Sequence, residues 1–407
     1  MGRVNDFMSG TKVYNIVGAF DRHNYGDILF PLIHAQFIQR KVDKADIRFF
    51  SITASDMSVC GGVRSEPIKK LIAHDGYLDS TTIMSGGDLL GADWVTMKGH
   101  VSSEAFFILL KATKKILGFT LANRLVARVF GELNEFPYVL SGKSLSGKVF
   151  YVCVGGSGFR SKDDKYHLSR VADELKTVAR VSVRDQNTYE LLRDKGVDCE
   201  LIPDSALVMS DYYPLNVLNS RNWRDSLLQD NGFDIGNFFV FQSGEYFISK
   251  CMDEVKRELD TVSKKTGMSI LFLPIGRATG HDDHKVLYPL YMELKKSGLP
   301  VAFQNSPHVL DIMAGLANGK FYVGTSLHGA ISAYSFGNKV CGFSLNNVPK
   351  LKSFVLSWME SGDYCLVDNN YFSPQVLGMI KDGAGVLGVD GLQRQKAMVY
   401  SELQRYL

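Results

Sequence analysis

The chain has 407 residues, 45% hydrophobic and 22% charged, enough to build substantial cores and to suggest two domains. A formal charge of +3 from 46 basic and 43 acidic residues is too small for the strongly basic face of a nucleic-acid binder, so any anion binding must be local. Cys60, Cys153, Cys199, Cys251, Cys341 and Cys365 are scattered singly, without zinc-type spacing, and read as reduced thiols of a cytosolic protein. Met1 to Thr11 carries neither a signal-peptide nor a lipidation pattern, and no run of about 18 apolar residues occurs, so a chain that is neither secreted nor membrane-spanning is expected.

Short β-rich apolar runs alternate with segments of helical period, the pattern of βαβ units around mostly parallel sheets. The first strand, Lys12–Gly18, leads into Asp21-Arg22-His23-Asn24-Tyr25-Gly26-Asp27 and an apolar helix. Gly26 lets the backbone approach a ligand, and Asp27 caps a helix whose free N–H groups face that ligand, unless this is only a plain capped turn. A strand at Ile47–Ile52 follows. The next, Thr81–Ser85, ends in Gly86-Gly87-Asp88, where the carboxylate either orients a hydroxyl or only caps.

Phe106–Phe130 is apolar, carries Lys111, Lys114, Lys115, Arg124 and Arg128, and contains no acidic residue. Such a segment suits an anionic membrane surface, but a buried helix with a solvated basic face is the favoured reading. Strand Lys148–Val154 runs into Gly155-Gly156-Ser157-Gly158-Phe159-Arg160, a turn rich in backbone donors. Strand Val181–Arg184 brings Arg184 to a strand end, where its guanidinium either grips a phosphate or carboxylate or pairs structurally with Asp185 or Asp204. A strand at Asp198–Ile202 closes this set.

The polar stretch Met209–Arg224 breaks the alternation and marks a domain boundary near Tyr212, giving domains 1–211 and 212–407. Strands are then expected at Asn237–Gln242, Ser269–Leu273, Pro300–Phe303, Lys320–Val323 and Lys339–Phe343, with helices after Lys350. A terminal helix over Gly388–Leu407 is expected to pack back on the first domain. His281-Asp282-Asp283-His284 invites a metal reading, but its contiguity in a polar loop opening a helix favours plain N-terminal charges and no metal. Nothing matches the Gly-Lys-Ser/Thr phosphate loop of an NTPase.

The most informative segment is Gly324-Thr325-Ser326-Leu327-His328-Gly329-Ala330. A strand ends there and a helix begins, so an imidazole at His328 can donate to an oxyanion or move a proton. In open parallel sheets ligands bind beyond the carboxyl ends of the strands, so two such domains place these loops in one cleft. An α/β fold of two Rossmann-like domains facing across a cleft is the expected architecture.

Asn24-Tyr25-Gly26-Asp27, Gly86-Gly87-Asp88, Ser182-Val183-Arg184-Asp185, Pro203-Asp204 and Ser326-Leu327-His328-Gly329 together, in this order, resemble the polysaccharide pyruvyltransferase family. The resemblance implies a GT-B-like domain pair that transfers a pyruvyl group from phosphoenolpyruvate to sugar hydroxyls as a ketal, without a cofactor. It implies that Arg184 holds the donor's phosphate or carboxylate, that His328 contacts the donor as acid or base, and that the Leu327–Gly329 backbone completes the site. Asp27 or Asp88 would orient the hydroxyls of the acceptor, a sugar of a polysaccharide or lipid-linked precursor. Family members often carry a basic residue where this chain has Ser326, a charge that Arg277 or Arg160 would then supply. A nucleotide-sugar-dependent glycosyltransferase and a non-catalytic glycan binder are the alternatives. The expected location is cytoplasmic, with a peripheral place at the inner face of the cell membrane if Phe106–Phe130 binds lipid.

Overall fold

The computed structural model describes residues 11–73, 80–142, 144–159, 165–230, 232–279, 282–381 and 389–407. Fourteen strands lie in two sheets among these residues. The first holds β1 (Lys12–Val17), β2 (Ala45–Ser51), β3 (Ser55–Asp56), β4 (Arg64–Pro67), β5 (Thr81–Ser85), β6 (Lys148–Val154), β7 (Arg180–Val183) and β8 (Glu200–Leu201). Their spatial order is β3-β4-β2-β1-β5-β6-β7-β8, parallel except for the β3–β4 pair. The second holds β9 (Phe238–Gln242), β10 (Ser269–Phe272), β11 (Val301–Phe303), β12 (Phe321–Gly324), β13 (Lys339–Gly342) and β14 (Tyr364–Leu366), ordered β11-β10-β9-β12-β13-β14 and parallel throughout.

Helices cover both faces of each sheet, so the central strands must be apolar on both sides. Phe238–Gln242 is buried at every position, and Lys12–Val17 is buried over its last four residues. Strand order reverses between β1 and β5 in one sheet and between β9 and β12 in the other. Those two switch points open a crevice at the strands' carboxyl ends, and they face each other.

All eleven strands expected from the sequence are present, with ends shifted by at most two residues. β3, β4 and β14 were not expected. β3 and β4 are short and polar (Ser-Asp and Arg-Ser-Glu-Pro), and β14 is a three-residue edge strand that is only half-buried, so none carries a buried-strand pattern.

An apolar core runs without interruption from Tyr14, Ile16 and Phe30 under the first sheet to Val240, Leu271 and Tyr322 of the second. Within it Tyr25 and Ser332 share a hydrogen bond of 2.9 Å across the two halves. The last helix, Val389–Gln404, returns to the first sheet, where Glu402 accepts from Arg180 at 2.8 Å and Tyr406 bonds His34 at 2.8 Å.

Candidate active site

Between the sheets lies a cleft of about 460 Å³, walled by the loops after β1, β5, β7, β9, β10 and β12. At its centre, β12 delivers the chain to Ser326, which caps the helix Leu327–Ser335 by accepting from the Gly329 N–H. The turn is held from below by Gln242, whose Oε1 accepts from the Ser326 N–H at 3.0 Å and from the Tyr322 hydroxyl at 2.9 Å. The first turn of this helix, with Leu327 and His328, lines the cleft and presents its N-terminal N–H groups there.

The His328 ring packs edge-on against Phe30, with centroids 5.3 Å apart. It lies directly over Gly26, where a Cβ would collide with the imidazole. Glycine is therefore required at position 26 by close approach between the two halves rather than by backbone angle. Asn24, two residues earlier, pairs with Gly276 in an isolated antiparallel bridge, and the backbone N–H groups of Arg277 and Ala278 both donate to the His23 carbonyl at 3.1 Å.

Arg184 makes the expected pair with Asp204 and lines the cleft. Its Nη1 donates to Asp204 at 2.6 Å and lies 3.5 Å from His328 Nε2. Asp204 is fully buried and lies 3.7 Å from the same imidazole nitrogen. Burial opposes its ionisation, but Arg184, His328 and the Ala206 N–H together hold its pKa at about 2. Nε and Nη2 of Arg184 make no hydrogen bond among the described residues, and Gly155 leaves the space they occupy. Asp185 is no partner of Arg184. It caps the next helix by accepting from the Thr188 N–H.

The two cleft carboxylates differ. Asp88 accepts from the Ser157 N–H at 2.7 Å and pairs with Lys350 at 2.7 Å. Burial works against its charge, but Lys350, Ser157 and Arg184 prevail and hold its pKa below the ordinary carboxylate range. Asp27 has one long ion pair, 3.6 Å to Arg22. Burial pushes its carboxyl upward against the pull of Arg22, His328, Lys350 and Arg184. Asp27 was expected to cap its helix. The N-cap is instead Asn24, whose side chain makes no capping bond, and Asp27 sits in the first turn. Gly87 lines the cleft beside it, while Gly86, at φ +69°, packs over Phe30 just behind.

Arg277 does not reach the cleft; its Nη2 donates to Asn305, at 2.9 Å to the carbonyl. Arg160 and His281 lie outside the described residues. The cationic groups that do line the cleft beside Arg184 are Arg22 and Lys350, neither of which the sequence singled out. Arg22 precedes the Asn24–Asp27 turn and reads as a loop residue, and Lys350 stands on a separate helix, Pro349–Trp358, brought in only by the tertiary fold. Asp283 turns inward rather than joining His284, accepting from Gln242 at 2.9 Å and from the Ile275 and Gly276 N–H groups at 3.1 Å. Among the described residues no three His, Cys, Asp or Glu side chains gather as a metal site.

Two mostly parallel sheets with facing switch points, and a cleft between them set with basic groups, define a two-domain, GT-B-like α/β protein. The chain belongs to the polysaccharide pyruvyl transferase family, whose sequence model matches residues 24–347, and is thus one of a family of transferases. No curated protein sequence matches it significantly. Among solved structures it is similar to the UDP-GlcNAc 2-epimerase of Neisseria meningitidis bound to UDP-GlcNAc, with 9% identity, a TM-score of 0.54 and coverage of 97% of this chain and 100% of that one. The corresponding enzyme of Rickettsia bellii gives 12%, 0.54, 97% and 95%, and that of Methanocaldococcus jannaschii 11%, 0.52, 96% and 100%. At such identities the likeness is one of fold.

Proposed function

We propose that the protein transfers the pyruvyl group of phosphoenolpyruvate to two hydroxyls of a sugar in a polysaccharide or lipid-linked precursor, forming a cyclic ketal and releasing phosphate. The observation that carries this reading is the Arg184–His328 pair, 3.5 Å apart at a helix N-terminus in the cleft. The donor has a phosphate and a carboxylate, which call for guanidinium edges, an ammonium and helix N–H groups. Arg184, Lys350 and the Leu327–His328 turn supply them, so the basic residue replaced by Ser326 is not needed at that position.

The chemistry needs one proton delivered and one removed. His328, 3.7 Å from the Asp204 carboxylate, protonates the methylene carbon of the donor. Asp27, less engaged and less acidic than Asp88, takes the proton of the first attacking hydroxyl. That hydroxyl bonds to the carbon bearing phosphate. The second hydroxyl then displaces phosphate and closes the ring, its proton leaving with the phosphate. Asp88, held ionised, fixes Lys350 and stays out of proton transfer.

Incubation with phosphoenolpyruvate and candidate oligosaccharides tests the reading. Phosphate release together with a mass gain of one pyruvyl ketal on the sugar is the expected outcome. Release of a nucleoside diphosphate from a nucleotide-sugar, with no reaction of phosphoenolpyruvate, would replace it by the glycosyltransferase alternative.

A further inference from the structure

The helical segment Glu104–Val129 takes no part in this chemistry, and it is not the buried helix that the sequence favoured. Its helix breaks at Gly118, where φ is +75°. Phe106 and Phe130, which a straight helix would set about 36 Å apart, have ring centroids 6.3 Å apart. The segment is therefore a helical hairpin. Its inner face is anchored: Phe107, Leu110, Ala122 and Val126 are buried, Lys114 pairs with Asp93 at 2.9 Å, and Asn123 accepts from the Trp94 N–H at 2.7 Å.

The outer face is apolar and open. Ile108, Leu109, Ile116, Leu121, Leu125 and Val129 are exposed, Ile116 by 80% and Val129 by 71%. Large side chains concentrated on one face of one element mark an interaction surface rather than the scattered exposure of an ordinary surface. Lys111, Lys115 and Arg128 are exposed among them, and no Asp or Glu lies between Phe106 and Phe130.

We infer that this hairpin docks the protein on an anionic lipid bilayer, its apolar ridge entering the acyl boundary and its basic side chains meeting the headgroups. Charge decides between this and self-association. A two-fold contact through the ridge would set Lys111, Lys115 and Arg128 against their own copies, with no acidic residue between Phe106 and Phe130 to offset them. No helix among the described residues is long and apolar enough to cross a membrane, so the contact is one of docking, not spanning. The helix Trp94–His100 underlies the hairpin and contributes Thr96, Met97 and His100 to the cleft wall, which places the lipid surface beside the cleft.

Sedimentation of the full chain with phosphatidylcholine vesicles, with and without phosphatidylglycerol, tests this without donor or acceptor and so independently of the pyruvyl-transfer reading. Retention on phosphatidylglycerol vesicles about 10- to 100-fold above phosphatidylcholine is expected for three basic residues at the surface. Ile116→Ser with Leu125→Ser should lower retention at least about tenfold with the thermal midpoint unchanged. Replacing Lys111, Lys115 and Arg128 by Gln should remove the preference for the anionic lipid. Absence of retention by the wild type, equal retention of all variants, or a dimer that the Ile116→Ser, Leu125→Ser pair disperses without any vesicle binding would each overturn the inference.

Discussion

Arg184 joins a buried acid to a cleft-facing edge, and its removal therefore has two consequences. Arg184→Ala leaves Asp204 buried without its counter-charge, which costs on the order of 3 to 5 kcal/mol, so denaturant unfolding should show a destabilised protein before any kinetic comparison is meaningful. Arg184→Lys keeps the charge but loses the planar fork. It should unfold near the wild-type midpoint and raise the KM for phosphoenolpyruvate more than it lowers kcat. His328→Ala is the converse case. The ring lies at the cleft wall, with its side chain 13% exposed, so the fold should survive, while kcat falls by about 10²- to 10⁴-fold. Wild-type turnover of that variant, with an unchanged melting curve, would remove His328 from the chemistry.

Among the elements, the strands were legible because a strand covered on both faces reads as a near-continuous apolar run, as Phe238 to Phe241 does. The strand-end turns were legible for a related reason, since Gly86-Gly87-Asp88 and Ser326-Leu327-His328 interrupt such runs with residues that suit no core. What stayed hidden depends on partners distant in sequence. Arg277 follows a strand and Lys350 opens a helix, and only the tertiary fold sends the first to Asn305 and the second to Asp88. Nothing in the sequence marked Gly118 as the point where Phe106–Phe130 breaks into a hairpin. Asp283 looked like an N-terminal helix charge, although it is buried under the β10 turn. Burial lifts its pKa to about 6, against about 3.9 when unfolded, so the folded state holds the proton more tightly. Its contribution to stability is complete below about pH 4 and is lost as pH rises through about 6. Asp283→Asn should therefore gain stability relative to wild type as pH is raised from about 4 to about 7, by roughly 2 to 3 kcal/mol. Urea midpoints at the two pH values check the sign.

For the whole molecule, the continuous core argues against two freely hinged halves. The last helix returns to the first sheet, and Tyr406, two residues past its end, packs against Phe37 and Phe150 and bonds His34. Tyr406→Ala should cost about 3 to 5 kcal/mol, although it lies hundreds of residues from the strands it supports, and unfolding should stay a single transition by fluorescence and circular dichroism. Two separated transitions would show that the halves unfold independently.

The contact of Gly26 with the His328 ring also has an evolutionary reading. The two residues belong to opposite halves of the chain, yet any side chain at position 26 displaces the imidazole. In lineages that keep the histidine, selection should hold position 26 as glycine; in lineages that have lost it, that position is released to drift.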